Sequence, residues 1–554
     1  MRKRLRVPLG VAVVAVLGTS TALWASSAGA AHSAAAPSIT ILYGSAPDHL
    51  DPQISYTTQG GEADWVSYLG LYTYAHLNGA AGGNVIPGLA TGPPKVTSGG
   101  KTYTMTLRKG LKYSNGAAVK ASDFPYSIER ALKLNWGGDS FYTTTIVGAD
   151  AYAKGTATSI SGISANDAKG TITIHLLAPY GPFENILAFP SSGFVPSGTA
   201  MTDLSNTPPP GVGPYMITNV VPNQSWVGAI NPYYAKEKIP GIPVGKVTVN
   251  ARVESNTTTE TEDVLSNTAD LFDTGDQIAP ALLPQIQAHA THRYTVRPQV
   301  QNFYYFVNTK IPPFNNQSVR AAVTMAIDHN ALSRLDGGNL TPGCYFLPPA
   351  MPGYPSKPCP YGNPKVSPSA ATIAKAKAMV AKAGDAGMAV TVWSETRSPR
   401  QQFMTYYVSV LQELGFNPTL KVLADHSYFP TIGNLSLNPQ TGFADWAEDF
   451  PHPADFYLLL DKNSIQAVNN QNFSQVNDPK IQNAITKLDA IPSGQLKSVA
   501  KDWQALDYYT AQKAYEIVMG YQNDPLFAST RINYKALVDQ ATYGWDWTSI
   551  QLNK

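Results

Sequence analysis

Cysteine is almost absent from this chain, with two residues, Cys344 and Cys359, among 554. Two cysteines without a clustered histidine do not make a metal site. Charged residues are sparse at 14%, and the formal net charge is only +2. No basic stripe is present, which argues against nucleic-acid binding. Catalytic signatures are missing too. There is no G-x-S-x-G elbow, no H-E-x-x-H pair, no P-loop and no G-x-G-x-x-G turn after a strand. The nine histidines are scattered. His289 and His292 lie three apart without a carboxylate at ligand spacing, and they read as a solvated helix face. No catalytic residue, metal ligand or cofactor site is therefore assigned. Carboxylate pairs for glycoside hydrolysis are spatial rather than sequential, so a secreted hydrolase stays as a distant alternative.

Long apolar runs are missing everywhere except at the start. Arg2, Lys3, Arg4 and Arg6 precede an apolar stretch from Val7 to Trp24, and Ala28-Gly29-Ala30 fits an A-x-A cleavage site. Residues 1–30 read as an export signal and 31–37 as an Ala-rich, disordered linker. The apolar run, of about 18 residues, also meets the minimum for a membrane span, so retention as an anchor is the competing reading. Cleavage would leave 36 Lys and Arg against 38 Asp and Glu, so the basicity belongs to the signal. Export implies an oxidising compartment, where Cys344 and Cys359 are expected to form a disulfide. Closing a loop of that size contributes about 3 kcal/mol in the chain-entropy picture.

The length suggests two or three domains. Alternating patterns mark strands at 38–43, at Tyr103, Met105 and Leu107, at Ile172, Ile174 and Leu176, and at 247–253. Phe303 to Val307 and Ala389 to Trp393 are further, more buried candidates. Val319, Ala322, Val323, Ala326 and Ile327 fall on one helical face, with Ser318 as the expected N-cap. Ile373, Ala376, Val380 and Ala383 form a second helix that Gly384 should stop. Leu496, Val499, Ala500, Trp503 and Leu506 make a third stripe. A loop rich in Pro and Gly, from about 340 to 368, holds both cysteines. No flexible linker separates the elements, and no internal repeat is found. This mixture fits an α/β protein whose lobes the chain enters more than once.

Five segments carry a more specific signal. Leu50-Asp51-Pro52 follows the first strand. Residues 100–116 read GKTYTMTLRKGLKYSNG, followed by Ala121-Ser122-Asp123-Phe124. Gly211-Val212-Gly213-Pro214-Tyr215 precedes Asn231-Pro232-Tyr233-Tyr234. Asn308 leads through Pro313-Phe314 to Val319-Arg320-Ala321-Ala322 and Ala326-Ile327-Asp328. Last comes the run Trp446-Ala447-Glu448-Asp449-Phe450-Pro451-His452-Pro453. In this order the chain resembles the family 5 extracellular solute-binding proteins, which serve peptide and nickel ABC importers. That family typically shows D-G-K-x-Y-T-F-x-L-R-x-G-V-K-F-x-D-G and then A-x-D-V. Arg108 and Lys109, inside this run, read as structural rather than as ligand contacts.

The resemblance implies a two-lobed, periplasmic-binding-protein-like α/β fold of class II, of the large type with an extra subdomain on lobe I. Mapped here, lobe I is 38–52, 195–297 and 521–554, the extra subdomain is 53–194 and lobe II is 298–520. The crossings fall near 298–300 and 515–522. It also implies a monomeric receptor that captures a peptide and passes it to an ABC permease, with an oligosaccharide or a metal chelate as the alternative solute. Members of the family that bind peptides pair the α-ammonium with an aspartate in a W-x-x-D-[YF]-x-x-P setting. Trp446 and Asp449 match that pattern, although Asp449 capping the turn before Pro451 is the competing reading. Arg397 or Arg400 is the expected partner of a peptide carboxylate, and Tyr56, Trp446 and Tyr521 are the expected aromatic walls. Asp445 reads as a surface or supporting residue. No cysteine lies near the cleavage point, so bacterial lipid attachment is not expected.

Overall fold

The alternating segments form strands because every second side chain enters a core. The computed structural model describes residues 37–234 and 239–554. The export segment, and all but the last residue of the expected linker, lie outside the described residues. In Thr248–Val253, Val249 and Ala251 are buried and stand beside Ile39 and Ile41 of Ser38–Tyr43. These two strands run parallel and belong to a five-stranded sheet. Its order is Leu271–Phe272, Ser38–Tyr43, Thr248–Val253, Ser225–Ile230 and Tyr215–Val221.

A second, six-stranded sheet runs Leu340–Thr341, Glu516–Phe527, Tyr294–Val307, Thr441–Ala447, Ala389–Glu395 and Asn417–Leu423. Tyr294–Val307 and Glu516–Phe527, of 14 and 12 residues, are its longest members. They pair antiparallel from Tyr294↔Phe527 to Pro298↔Asn523, and again from Asn302↔Tyr521 to Phe306↔Glu516, with an irregularity between. Pro298 brings no N–H to the ladder at the start of that interruption. Beyond Phe527, Ala528 bridges to Leu271 of the first sheet. The strand pair is thus the covalent passage between the two sheet systems, and the molecule has two lobes.

A four-stranded sheet, Lys95–Thr97, Thr102–Thr106, Thr171–His175 and Ile163–Asn166, forms a separate layer. Tyr103 and Met105 stand opposite Ile174 and Ile172 on its buried face. The helix Asp123–Lys133 ties it to the first motif. Arg130 Nη2 donates to Asp51 Oδ2 at 2.6 Å, and its Nη1 to Gln53 Oε1 at 3.0 Å. Removing one side of a buried ion pair such as Arg130–Asp51 costs about 3–5 kcal/mol.

Motifs distant in sequence meet in space. Ser114 N–H donates to Gly211 O at 2.8 Å, and a Cβ on Gly116 would lie 2.6 Å from the Tyr233 hydroxyl. Gly213 is needed for close approach, because a side chain there would overlap the Val66 carbonyl. Arg108 donates to Gly88 O at 2.9 Å, which gives it a structural position.

Two helix starts show the detail of capping. The helix Gln317–Ala326 is capped by Asn316, whose side chain accepts from Ser318 N–H, rather than by Ser318. Ser122 is the N-cap of Asp123–Lys133, yet its hydroxyl bonds Asp167, while Asp123 accepts from Lys120 N–H at 2.8 Å. Gly384 ends Ala370–Ala383 at φ 83°, as a left-handed stop requires. Cys344 and Cys359 form a disulfide with Cα atoms 6.0 Å apart, fastening the long loop.

Candidate functional site

Thr441–Ala447 lies inside the second sheet, with Trp446 opposite Asn302 and Ala447 opposite Gln301. Glu448 N–H still bonds Val300 O at 2.9 Å, and then the chain leaves the ladder. His452 caps the short helix Pro453–Tyr457, its Nδ1 accepting from Ala454 N–H at 3.0 Å. Asp455, in the first turn of that helix, accepts Asp449 N–H at 2.9 Å. The turn is therefore held by His452 and Asp455, and the Asp449 carboxylate points elsewhere.

That carboxylate meets Tyr56. The phenol donates to Asp449 Oδ2 at 2.9 Å, across 393 residues of sequence. Tyr56 precedes the helix Thr58–Trp65, which is anchored to the first sheet where Tyr43 donates to Glu62 at 2.7 Å. The bond therefore joins parts built on different sheets. The Tyr56 ring stands edge-on to Trp136 at 5.1 Å and to Trp446 at 6.2 Å. Tyr74, on the same side, donates to Asn185 Oδ1 at 3.2 Å and approaches Asp449 O at 3.4 Å.

The electrostatics follow from crowding acids into an aromatic enclosure. Burial pushes Asp449 up to about 7, and the Tyr56 hydrogen bond restrains the shift. Glu448 rises to about 8, first through burial and then through the charge of Asp449, with Arg297 opposing. Asp455 is also raised well above the carboxylate range, by burial and then by Asp449. Each of these buried acids favours its protonated form over its anion.

The expected arginines lie apart from this group. Strand alternation turns Asp445 to the face opposite Trp446. There Arg400 donates to Asp445 Oδ2 at 2.6 Å and to Glu395 Oε1 at 2.7 Å, with its guanidinium 4.8 Å from the Phe443 ring centre. Asp445 is thus a supporting residue, bonded also by Gln301 at 3.0 Å. Arg397 reaches Asp276 Oδ1 at 3.2 Å, while Asp276 Oδ2 accepts Gly44 N–H at 2.6 Å. Close by, Ser45 donates to Asp425. Burial alone would raise Asp425, but hydrogen bonding to Glu395, the charge of Arg397 and the Ser45 bond hold it well below its ordinary value. Tyr521 is buried in the second sheet, where its hydroxyl donates to Tyr345 O at 3.0 Å and accepts Tyr345 N–H at 3.1 Å.

The structure thus brings Tyr56, Trp446 and Asp449 together, places Arg397 and Arg400 in one charged network with Asp425 and Glu395, and buries Tyr521 elsewhere in the second sheet. Sequence reasoning missed Glu448 and Asp455 as members of the acidic group, and Trp136 and Tyr74 as walls. Glu448 stood inside the quoted motif. Asp455, two residues after Pro453, carries only the ordinary signal of a helix start.

Comparison with known proteins was made on this frame. The sequence model of the bacterial extracellular solute-binding proteins, family 5 Middle, matches residues 84–467. The periplasmic murein peptide-binding protein MppA of Escherichia coli K12 is 25% identical over 455 residues, covering 78% of this chain and 79% of that protein. A solved structure of that E. coli protein superposes with a TM-score of 0.78 at 21% identity, over 94% of this chain and 99% of the other. Its unliganded open form gives 0.64. Haemophilus influenzae OppA in complex with RPPGFSPFR gives 0.76 at 18% identity, over 93% and 99% of the two chains.

Proposed function

From the premise that the chain belongs to the family 5 bacterial extracellular solute-binding proteins, we propose that it captures a peptide between its lobes and delivers it to an ABC permease, without catalysis. The observation that carries this reading is the Asp449 carboxylate, free of its own turn and bonded across the lobes by Tyr56. A peptide's α-ammonium is a stronger partner for that carboxylate than a phenol, because a charged donor bonds a carboxylate more strongly. Relatives whose names refer to murein peptide and oligopeptide binding support the choice of solute.

Trp446 and Tyr56 then flank the ligand's amino end. Arg397, held in place by one 3.2 Å contact to Asp276, is the arginine able to turn toward a ligand carboxylate. Arg400 has both arms engaged and supports the wall from behind. Tyr521 fixes the disulfide loop against the crossing strand. We take the lobes as 38–52, 195–297 and 521–554 against 298–520, with 53–194 as the extra subdomain. Closure is then a bend where the long strand pair is interrupted. The protein acts as a monomer outside the membrane, exported by its N-terminal segment. Intact-mass measurement of the exported protein distinguishes cleavage after Ala30 from a retained anchor.

Titration calorimetry of ligand-stripped protein with di-, tri- and pentapeptides tests the central reading. At least one length is expected to bind, and Asp449→Asn to weaken it by about 30-fold or more, as loss of a buried charge partner does. Binding of peptides with no loss in Asp449→Asn would remove Asp449 from the site. Thermal stabilisation by sugars or metal chelates, with none by peptides, would replace the solute and leave the receptor role standing.

A further inference from the structure

The acidic group holds more negative capacity than one ammonium can meet. Glu448 is only 7% exposed, and among the described residues its carboxylate makes no hydrogen bond, its oxygens keeping a little contact with solvent. Asp455 is fully buried, and its Oδ1 has no partner although Oδ2 accepts Asp449 N–H. The Trp446 indole eases charge on Asp455 without reaching it in hydrogen-bonding geometry. Arg297 is the cation that favours charge on Glu448; it forms ion pairs with Asp524 at 3.5 Å and with Asp539, its Nε and Nη2 are buried without a hydrogen-bond partner, and neither donates to Glu448. Buried charges without partners are costly, so these two carboxyls are neutralised either by protons or by a second positive group.

We propose that Glu448 and Asp455 form a cation subsite beside Asp449 and select peptides whose first residue carries a positively charged side chain. The inference rests on the peptide reading above and narrows its substrate class. The α-ammonium meets Asp449, and a lysine-like side chain on the same residue reaches the unpartnered oxygens next to it. A neutral first residue leaves those carboxyls protonated and unbonded. An acidic one adds a like charge to the enclosure, which is more costly still.

Ligand-stripped full-length protein is titrated calorimetrically with X-Ala-Ala and X-Ala-Ala-Ala-Ala, where X is lysine, norleucine or glutamate. Norleucine keeps most of the lysine side chain's length and removes its charge. The lysine peptides are expected to bind about tenfold or more tighter than the norleucine peptides, with the glutamate peptides weakest. Glu448→Gln and Asp455→Asn, checked for folding by circular dichroism and melting, should each shrink the ratio of lysine-peptide to norleucine-peptide affinity, whatever either does to affinity overall. Equal binding of lysine and norleucine peptides to the unsubstituted protein overturns the subsite and leaves the peptide reading intact, whatever the variants do. A lysine preference that survives both substitutions overturns it as well, because the cation is then met elsewhere. If no peptide of either length binds, the peptide reading falls and the subsite falls with it.

Discussion

On the lobe boundaries proposed above, two contact zones join the lobes, and they are built from different chemistry. Around Tyr56 and Asp449 the contacts are neutral donors and backbone groups. Gly181 N–H donates to Asp489 O at 2.7 Å, Ser493 returns a bond to Gly181 O at 3.1 Å, and Asn469 and Gln471 donate to the carbonyls of Asn135 and Gly137 at 2.9 and 2.8 Å. On the Arg397 side the contacts are ionic or charge-assisted, namely Arg397 to Asp276 and Ser45 to Asp425. The first zone depends on shape, since peptide groups must approach closely. The second depends on charge, which acts at longer range and is screened by salt. Closure therefore has a steric half and an electrostatic half, and each can be disturbed without the other.

The largest effect is expected from the steric half. A Cβ on Gly181 would overlap the carbonyl oxygen of Ile491 across the interface. With Gly181 in the proposed extra subdomain and Ile491 in the proposed lobe II, Gly181→Ala is expected to obstruct the closed form and leave the open form untouched. Peptide affinity should fall by about 100-fold, the scale of a shifted closure equilibrium, while the melting temperature of an open, ligand-free protein changes little. Calorimetry with small-angle scattering checks both. Unchanged affinity would show that the lobes need not meet at Gly181.

A smaller effect, with the opposite salt signature, is expected on the ionic side. Asp276→Asn should weaken binding by about fivefold or more at low salt, because it removes the buried partner of Arg397, whose own side chain is 18% exposed. The penalty should fade as sodium chloride rises toward 1 M, where the screening length is about 3 Å. Gly181→Ala should show no such fading. If both variants respond alike to salt, the division between the zones is wrong.

Much of the fold was legible because it follows from short-range rules. Alternation located Thr248–Val253, and a glycine at φ 83° stopped the helix where the apolar face ran out. Trp446 and Asp449 were legible because a motif carried them. The rest of the site depends on contacts that no local pattern encodes. Tyr56 is separated from Asp449 by 393 residues, and Arg397 from Asp276 by 121. Arg400 follows a strand as a ligand-binding arginine would, yet Glu395, five residues earlier, and Asp445 engage it from within its own lobe. Tyr521 illustrates the same limit, since its hydroxyl is bound by a loop whose path depends on the disulfide. Asn316 capped a helix in place of Ser318 because an asparagine side chain reaches the N–H two residues on, a choice of position that propensity alone leaves open.

Acidity gives the finest test, because Asp449 on the Tyr56 side and Asp425 on the ionic side are shifted in opposite directions. Asp449 and Glu448 are raised to about 7 and about 8, whereas Asp425 in the ionic zone is held well below its ordinary value. A carboxyl whose pKa is higher in the folded state binds its proton more tightly there than in the unfolded chain. Its stabilising contribution is complete below the unfolded value near 4, and is lost as pH rises through the folded value. Each such group contributes a slope of at most about 1.4 kcal/mol per pH unit. Ligand-free protein should therefore lose stability between about pH 5 and pH 8, and Glu448→Gln should flatten the upper part of that decline. Asp425 works in the other direction: its stabilisation is present above the unfolded value near 4 and is lost only at lower pH. Asp425→Asn should therefore remove the loss of stability seen as pH falls below about 4 and, because burial helped by Asp425 holds Glu395 up at about 8, should flatten the decline above about pH 5 less than Glu448→Gln does. Urea melts at half-unit intervals separate the two variants. An acid limb below about pH 4 that is the same in Asp425→Asn as in the unsubstituted protein would mean that the charge of Asp425 is not held down by its neighbours, and that the two zones differ in shape alone.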